Sequence, residues 1–260
     1  NAGEYYLTDL VDFASKRQLK IGSTQTREEE VLGANNKEEL ARLYKALIAL
    51  NIEAAKKKGV ILKDEASCFV EGQLKVGKDV RIGSNVTIKG SVSLGNNVCI
   101  ESNVVLCNTK VGDDTTIKDF CSIEDSVLAK NVEVGPFARL RNGAVLDDSA
   151  KVGNFVEIKK SKIGQGSKAN HHAYLGDANI GKKVNVGAGT ITCNYDGKLK
   201  HKTKIEDGSF IGTNSSLVAP LKIGKKAYVA AGSVITTDVP SGSLAFGRSK
   251  QNNKKNWKKK

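Results

Sequence analysis

The sequence predicts a mainly β fold in which short strands stack in parallel coils, preceded by one long helix. Aliphatic residues recur every six positions over most of the chain, from Val76 to Ile235. Only 5% of the 260 residues are aromatic, and Gly is frequent (26) while Pro is rare (3). A core of Val, Ile, Leu and Ala suits stacked strands better than a helical bundle. The composition also excludes collagen and a Pro-rich linker protein.

The six-residue period is the strongest signal. It begins with Val76, Ile82, Ile88, Leu94, Ile100 and Leu106. It slips by one residue at Val111 and then continues. This period fits neither an α-helix nor simple strand alternation, and it is typical of a hexapeptide-repeat parallel β-helix with three hexads to a coil. A β-sandwich would instead need period-two strands and frequent turns. Because one coil cannot bury its apolar side alone, the array must be long, and we expect roughly nine coils.

A helix is predicted before the repeats. Asn36 is a good N-cap and Glu39 stands in the capping-box position three residues later. Leu40, Leu43 and Leu47 then recur at helical spacing and predict an apolar stripe.

The chain is expected to have four segments. Residues 1–35 contain an apolar run too short to close a core, and we expect them to be the end of a larger domain. Residues 36–59 are predicted to be a linker helix and 60–240 the β-helix. Residues 241–260 are predicted to be a basic tail. The chain has no Met, so we expect a fragment or a processed product.

The charge is +13, from 41 Lys and Arg against 28 Asp and Glu. Such an excess favours anionic partners, namely nucleic acid, an anionic membrane face or phosphorylated small molecules. Nucleic acid is disfavoured because the cations are not interleaved with aromatics; the run Lys250–Lys260 contains one aromatic residue, Trp257. No apolar run approaches the roughly 18 residues of a membrane span, so we expect a cytoplasmic protein.

The five cysteines lack the spacing of a metal or redox motif. They are Cys68, Cys99, Cys107, Cys121 and Cys193. Small buried hydrophobic residues or free thiols in a reducing cytosol are the expected roles.

The repeat is suspended once, between Thr192 and Ile205, by the segment NYDGKLKHKTK. A regular solenoid that breaks its repeat in one place is expected to project a loop there. The loop is either a tolerated insertion or, as we favour, a functional loop on a rigid scaffold.

The repeat also predicts which side chains are neighbours. Residues one coil apart lie in adjacent strands, about 4.8 Å apart. Arg141 and Lys159 follow core positions one coil apart, so the two cations should stack. Like charges placed opposite each other are destabilising, unless an anion lies between them. The pair therefore predicts a phosphate site, and the alternative is two solvated cations that diverge into water.

His171 is the candidate catalytic residue. His171 and His172 lie outside the positions that the repeat directs into the core. Ala188, within the small-residue run VGAGT, should lie beside His171 on the next coil. Small residues leave room for a ligand and expose N–H groups to a carbonyl oxygen. A neutral imidazole is a suitable base near pH 7, and a carboxylate nearby could orient it. The alternative is a structural histidine.

Three segments resemble one known family. They are GPFARLR (135–141), GNFVEIKKSKIGQGSKANHHAYLGD (153–177) and VNVGAGTITCNYDGK (184–198). They resemble the bacterial bifunctional N-acetylglucosamine-1-phosphate uridyltransferase/glucosamine-1-phosphate acetyltransferases. GEYYLTD (3–9) is similar to the end of that family's uridyltransferase domain, so the likeness covers essentially the whole chain. It implies that residues 1–35 are the C-terminal remnant of this α/β nucleotidyltransferase domain. The resemblance implies a left-handed parallel β-helix and a homotrimer with active sites between subunits.

The resemblance also implies an activity and its residues. The reaction is transfer of acetyl from acetyl-CoA to the amine of glucosamine 1-phosphate, which supplies UDP-N-acetylglucosamine synthesis, with His171 as general base. The positions that match sugar-phosphate contacts are Arg141, Lys159, Tyr174 and Asn185. Those that match acetyl-CoA contacts are Ala188, Asn194, Tyr195, Thr213, Ala231 and Arg248. Where the family commonly has Gly-His, this chain reads Asn170–His171–His172.

The uridyltransferase half has almost no counterpart here. Asn35 alone matches a position that contacts metal and nucleotide, where the family uses Mg²⁺. Nothing matches the Gly-rich nucleotide-binding loop, so we expect this chain to lack uridyltransferase activity. Two alternatives remain open at this point: another hexapeptide-repeat acyltransferase, and a non-catalytic basic solenoid that binds a partner.

Overall fold

The computed structural model describes residues 6–255 and 257. Residues 3–5 of the GEYYLTD motif and 258–260 of the basic tail therefore lie outside the described residues. The chain divides into two compact units, Asn1–Leu47 and Ile48–Lys260. Each unit is considered by itself.

The first unit contains helix α1 (Asp9–Lys16), a short 3₁₀ helix (Glu28–Glu30) and the beginning of helix α2 (Lys37–Lys57). Helix α1 has no buried residue, and its apolar side chains Leu10 and Phe13 are exposed. Residues 18–24 are irregular. The described part of the unit offers no strand with which they could pair.

The predicted capping interactions of α2 are present. The side-chain oxygen of Asn36 accepts a hydrogen bond from the Glu39 N–H at 2.9 Å. The Glu39 carboxylate reaches back one residue further than in a standard capping box and accepts from the N–H of Asn35 at 2.7 Å.

The predicted leucine stripe of α2 is not its buried face. Leu40 and Leu47 are 57% and 50% exposed. The buried residues are Ile48, Ile52 and Ala55, which join the core of the second unit. The C-terminal part of α2 therefore covers the first coil of the repeats. A hydrogen bond of 2.8 Å from the Asn51 amide to the carbonyl of Val70 fixes it there.

The second unit is built from 28 short strands. They are β1 (Ile61–Leu62), β2 (Phe69–Val70), β3 (Gln73–Val76), β4 (Arg81–Ile82), β5 (Thr87–Lys89), β6 (Ser91–Leu94), β7 (Cys99–Ile100), β8 (Val105–Cys107), β9 (Lys110–Val111), β10 (Thr116–Ile117), β11 (Ser122–Glu124), β12 (Val127–Leu128), β13 (Glu133–Val134), β14 (Arg139–Arg141), β15 (Val145–Leu146), β16 (Lys151–Lys159), β17 (Lys162–Ile163), β18 (Lys168–Gly176), β19 (Ala178–Ile180), β20 (Asn185–Val186), β21 (Ile191–Cys193), β22 (Thr203–Ile205), β23 (Phe210–Ile211), β24 (Ser216–Val218), β25 (Leu221–Ile223), β26 (Tyr228–Val229), β27 (Val234–Ile235) and β28 (Leu244–Ala245).

The strands form three faces of a parallel β-solenoid. The first face contains β1, β4, β7, β10, β13, β20, β23, β26 and β28. The second contains β2, β5, β8, β11, β14, β21, β24 and β27, and the third contains β3, β6, β9, β12, β15, β17, β19, β22 and β25. The long strands β16 and β18 belong to both the first and the second face. The solenoid has about ten turns, which confirms the predicted parallel β-helix with one turn more than the repeats suggested.

Most coils repeat after 17 or 18 residues, whereas the coil that contains the interrupted repeat is longer and pairs Asn185 with Phe210. Thr116 pairs with Cys99, and Lys151 pairs with Glu133, in parallel register. The aliphatic residue of each hexad points inward, and Leu140, Ile158 and Leu175 are fully buried. Adjacent coils therefore place the same kind of side chain at the same level of the core, which explains why the six-residue period was visible in the sequence.

Replacing Leu140 by Ala should destabilise the solenoid, because the smaller side chain leaves a cavity in the fully buried core. The expected loss is about 2–5 kcal/mol, measured as a lower midpoint of thermal unfolding by circular dichroism. Leu199→Ala is the matched control, since Leu199 is 66% exposed and should leave the midpoint almost unchanged. Equal shifts for the two variants would contradict the assignment of the core.

Candidate functional site

Two long strands frame the candidate site. Strands β16 and β18 each extend over nine residues and continue through the corner where other coils break their strands. They pair over seven positions, including Asn154 with His171 and Lys159 with Gly176. A Cβ atom on Gly153 would lie 1.9 Å from the carbonyl oxygen of Asn170. Glycine at position 153 therefore permits the close approach of the two strands at this point.

A groove of about 380 Å³ lies at this corner between the first and second faces. Its lining includes Lys118, Glu133, Lys151, Asn154 and His171; we call it the corner groove. Lys151 and Lys118 both form ion pairs with Glu133, and Lys151 in particular lowers the pKa of the Glu133 carboxyl. The groove is thus polar, and its carboxylate is already engaged by cations.

His171 is exposed in the corner groove. Its Nδ1 atom lies 2.8 Å from the side-chain oxygen of Asn154. The sequence analysis suggested a carboxylate as the group that orients the imidazole. The structure instead places the Asn154 amide against the ring, and the carboxylate of Glu157 is bonded to Arg141. The second ring nitrogen of His171, Nε2, has no hydrogen-bond partner among residues 6–255 and 257.

Ala188 lies beside His171 on the following coil. Val186 pairs with Ala169, and the N–H of Gly189 donates to the carbonyl of His172 at 2.7 Å. The N–H of Gly187 donates to Ile211 at 2.8 Å. Of these three successive N–H groups, only that of Ala188 lacks a hydrogen bond within the described part of the chain.

The same corner continues upward through a column of small residues. The N–H of Asn214 donates to the carbonyl of Ala188 at 2.7 Å, and the N–H of Gly232 donates to that of Thr213 at 2.8 Å. A Cβ atom on Gly232 would lie 3.7 Å from Cδ of Arg248. Ala188, Thr213, Ala231 and Arg248, four of the residues predicted to contact acetyl-CoA, therefore follow one another along a single corner. We call this set the small-residue column.

The predicted pair of stacked cations is present at the far end of the second face. Arg141 and Lys159 are register partners. Contrary to the expectation that only a bound anion would relieve their repulsion, a carboxylate of the chain already does so for one of them. The Arg141 guanidinium donates to Glu157 at 2.6 and 2.7 Å.

A third cation, missed in the sequence analysis, lies beside Lys159. The Lys200 ammonium, through a hydrogen bond and through repulsion, lowers the pKa of Lys159, and burial and the charge of Arg141 lower it further. Neither Lys159 nor Lys200 forms an ion pair with any of the residues that the structure describes. We call Arg141, Lys159 and Lys200 the cation group. The run KLKHK in the interrupted repeat was the sequence signal that could have indicated Lys200.

The interrupted repeat forms a hairpin loop, as predicted for a projecting segment. Tyr195 and Lys200 pair as an antiparallel bridge. The Asp196 carboxylate accepts hydrogen bonds from the N–H groups of Lys198 and Leu199 at 2.8 and 2.7 Å, and it contacts His201 at 2.7 Å. The hairpin is therefore held by its own side chains in the position that brings Lys200 to Lys159.

Two residues predicted to contact acetyl-CoA lie in this hairpin rather than in the small-residue column. Asn194 is buried, and its amide donates to the Asp177 carboxylate at 2.6 Å. Tyr195 is 60% exposed, and its hydroxyl donates to the carbonyl of Gly197 at 2.6 Å. Both stand near the cation group.

Tyr174 and Asn185 are on different faces. Tyr174 folds over Gly176, where a Cβ atom would lie 2.5 Å from the tyrosine hydroxyl. Gly176 pairs with Lys159, so the Tyr174 hydroxyl lies towards the cation group. Asn185 lies on the first face between Lys168 and Phe210.

Apart from Asn35 and Asn185, the predicted residues fall into two sets on one chain. His171 and the small-residue column lie at the corner before the second face. The cation group, Asn194 and Tyr195 lie at the end of that face. In β18, residues 172 and 176 mark the two ends of the second face. Four residues of a strand span roughly 13 Å.

The remaining predicted site residue, Asn35, lies in the first unit, immediately before α2. No group of three or more His, Cys, Asp or Glu side chains among the described residues could hold a metal ion. All five cysteines are free thiols. No helix in the described ranges is long and apolar enough to cross a membrane.

Two family models match the repeats. Residues 53–158 match the LbH domain of EIF2B subunit epsilon, and residues 202–237 match the hexapeptide repeat of succinyl-transferase. Among solved structures, an Arabidopsis UDP-N-acetylglucosamine acyltransferase superposes with a TM-score of 0.54. The two chains are 20% identical, and the match covers 70% of each. This likeness shows the fold.

Much closer sequence relatives exist. The chain is 51% identical over 255 residues to the bifunctional protein GlmU of Thermosipho melanesiensis, covering 98% of this chain and 56% of that protein. It is 49% identical to bifunctional protein GlmU of Acinetobacter baylyi, covering 99% of this chain and 57% of that protein. The chain therefore spans little more than half the length of the curated relatives that it matches.

The hairpin should loosen in acid. The N–H of Leu199, then His201 and the N–H of Lys198, hold the pKa of Asp196 far below its usual range. A carboxyl whose folded-state pKa is depressed stabilises the fold above the unfolded value of about 3.9, and this contribution is lost as the pH falls through the folded value. In an amide NMR titration, the Lys198 and Leu199 signals should move only well below pH 4. Asp196→Asn, the control, should abolish the transition, and a midpoint near 3.9 would contradict the prediction.

Proposed function

Because this chain is a relative of the bifunctional GlmU proteins over 98% of its length, we propose that it is their acetyltransferase part. It transfers acetyl from acetyl-CoA to the amine of glucosamine 1-phosphate. The product, N-acetylglucosamine 1-phosphate, serves UDP-N-acetylglucosamine synthesis. The observation that carries the proposal is the exposed His171, whose Nε2 is without a partner among the described residues, beside the unpartnered N–H of Ala188.

The chemistry follows from these two groups. Nε2 of His171 takes a proton from the amine of the sugar while the amine nitrogen attacks the thioester carbon. The negative charge that develops on the carbonyl oxygen is stabilised by the N–H of Ala188. The C–S bond then breaks, the thiolate takes up the proton, and the amide and CoA leave. No step uses a metal ion, because a thioester is already activated towards amines.

The small-residue column supports the placement of acetyl-CoA. Ala188, Thr213 and Ala231 carry little side-chain bulk, so an extended cofactor can lie along the corner. Arg248, at the top of the column, is suited to bind the phosphates of CoA through its guanidinium.

The cation group supports the placement of the sugar phosphate. Lys159 and Lys200 repel each other and have no carboxylate partner in the described part of the chain, so a phosphate between them would relieve that repulsion. Arg141 provides a third donor, and the Tyr174 hydroxyl lies on the same side.

A second copy of the chain would complete the site. In glucosamine 1-phosphate the amine and the phosphate are on neighbouring carbons, whereas His171 and the cation group lie at opposite ends of the second face, whose backbone spans roughly 13 Å along β18. This spacing supports a homotrimer in which the corner groove of one chain faces the cation group of the next.

His171→Ala should lower kcat by roughly 10²–10⁴ because the general base is lost. The assay follows thiol release from acetyl-CoA with glucosamine 1-phosphate, and other amino-sugar phosphates test the choice of acceptor. His172→Asn is the matched control, since Asn tolerates the left-handed backbone at that position (φ 44°). Its rate should stay near that of the wild type. An unchanged rate in His171→Ala would exclude His171 as the base.

Two inactive variants should complement each other if the site is shared between chains. His171→Ala lacks the base, and Lys159→Glu repels the phosphate. Trimers reassembled from an equal mixture should regain about one quarter of the wild-type sites, because each site takes His171 from one chain and Lys159 from another. Homotrimers of each variant are the controls. Absence of recovery in verified mixed trimers would place the whole site within one chain.

A further inference from the structure

We infer that Asn154 is a positioning residue that holds His171 in the tautomer with the proton on Nδ1 and the lone pair on Nε2. The inference rests on the proposed function for its catalytic consequence. The hydrogen bond itself is independent of that function. The orienting group of a catalytic imidazole is usually looked for among carboxylates, and here it is an uncharged amide.

The geometry is specific. The side-chain oxygen of Asn154 lies 2.8 Å from Nδ1 of His171, and the two residues are direct register partners in the paired strands β16 and β18. Asn154 is half-buried while His171 is exposed. The amide is therefore fixed by the scaffold, and the imidazole is held by it.

The tautomer decides whether His171 can act as a base. A neutral imidazole has one nitrogen that donates and one that accepts. Since a carbonyl oxygen only accepts, Asn154 requires the proton on Nδ1, and the lone pair then faces outward on Nε2. In the other tautomer Nε2 would carry a proton and could not accept one from an amine.

An amide also places no net charge against the ring. A carboxylate at this position would attract the imidazolium form. The charged groups that share the corner groove are Lys118, Glu133 and Lys151, and both lysines bind Glu133. Glu157, the other nearby carboxylate, is bonded to Arg141.

The alternative is that Asn154 only stabilises the stacking of coils. Asn96 provides a matched case, because it also bonds across one coil: its amide donates to Asp113 at 3.3 Å and its oxygen accepts from the N–H of Lys78 at 2.9 Å. Asn96 is remote in sequence from β16 and β18 and does not line the corner groove. A purely structural role predicts similar behaviour of the two asparagines on truncation.

The experiment compares Asn154→Ala, Asn154→Asp and Asn96→Ala in the full chain. The first readout is the ¹⁵N NMR of the His171 ring without substrate. The wild type and Asn154→Asp should show the Nδ1–H tautomer, and Asn154→Ala should show a mixture. The second is steady-state kinetics. Asn154→Ala should lower kcat roughly 10- to 100-fold, part of the effect of removing the base, with KM for acetyl-CoA unchanged.

Asn154→Asp provides the rescue. It should recover most of kcat at high pH, and the acid limb of its kcat profile should move to higher pH because the carboxylate stabilises the imidazolium. Asn96→Ala should match the wild type in tautomer, kcat and pH profile. These results together would support a positioning role.

Other results would overturn the inference. A wild-type tautomer in Asn154→Ala would show that Asn154 does not fix the ring, whatever the rate. A changed tautomer with an unchanged kcat would remove its catalytic role. If the tautomer changes but the wild type itself does not acetylate any amino-sugar phosphate, the proposed function fails and the positioning of His171 stands.

Discussion

The parallel backbone ladder between successive coils determines the rest of this structure. Most coils repeat after 17 or 18 residues, so a strand residue in the interior of the stack has a fixed neighbour in the coil on either side. Side chains far apart in sequence become partners, as Asn154 and His171 do across 17 residues. The ladder also has a steric limit, because Gly153 lies where a Cβ would overlap the next strand. The candidate site is built from neighbours that this ladder creates.

Electrostatics then divides the cations of the second face into two kinds. Arg141 is neutralised by Glu157 within the chain, so it stabilises the fold before any ligand arrives. Lys159 is crowded by Lys200 instead, and its pKa is lowered as a result. A positive charge that is held near another positive charge, at the end of a rigid strand, favours the binding of an anion. The hairpin that carries Lys200 is therefore as important to the proposed site as the solenoid.

The repeat made much of the fold predictable. The sequence predicted the neighbours of a residue best where the backbone ladder alone determines them. The hexads identified the inward residues, such as Leu140 and Ile158, and the stacking of Arg141 on Lys159. The repeat could not place Lys200 beside Lys159, because the hairpin leaves the repeat and its path depends on hydrogen bonds around Asp196. It also could not show that α2 buries Ile48 rather than its leucine stripe, since that choice depends on what the helix packs against.

The two ends of the solenoid are covered differently, and this has a consequence for local unfolding. At the beginning, Ile48, Ile52 and Ala55 of α2 close the core. At the other end, β28 has only β26 beside it among the described residues, and Leu244 and Phe246 are 61% and 68% exposed. Stacked coils open by fraying from their ends. Within the solenoid, hydrogen exchange should therefore be faster in the coils of Ala231 and Arg248 than in the interior coil of His171, so the end proposed to bind acetyl-CoA opens first.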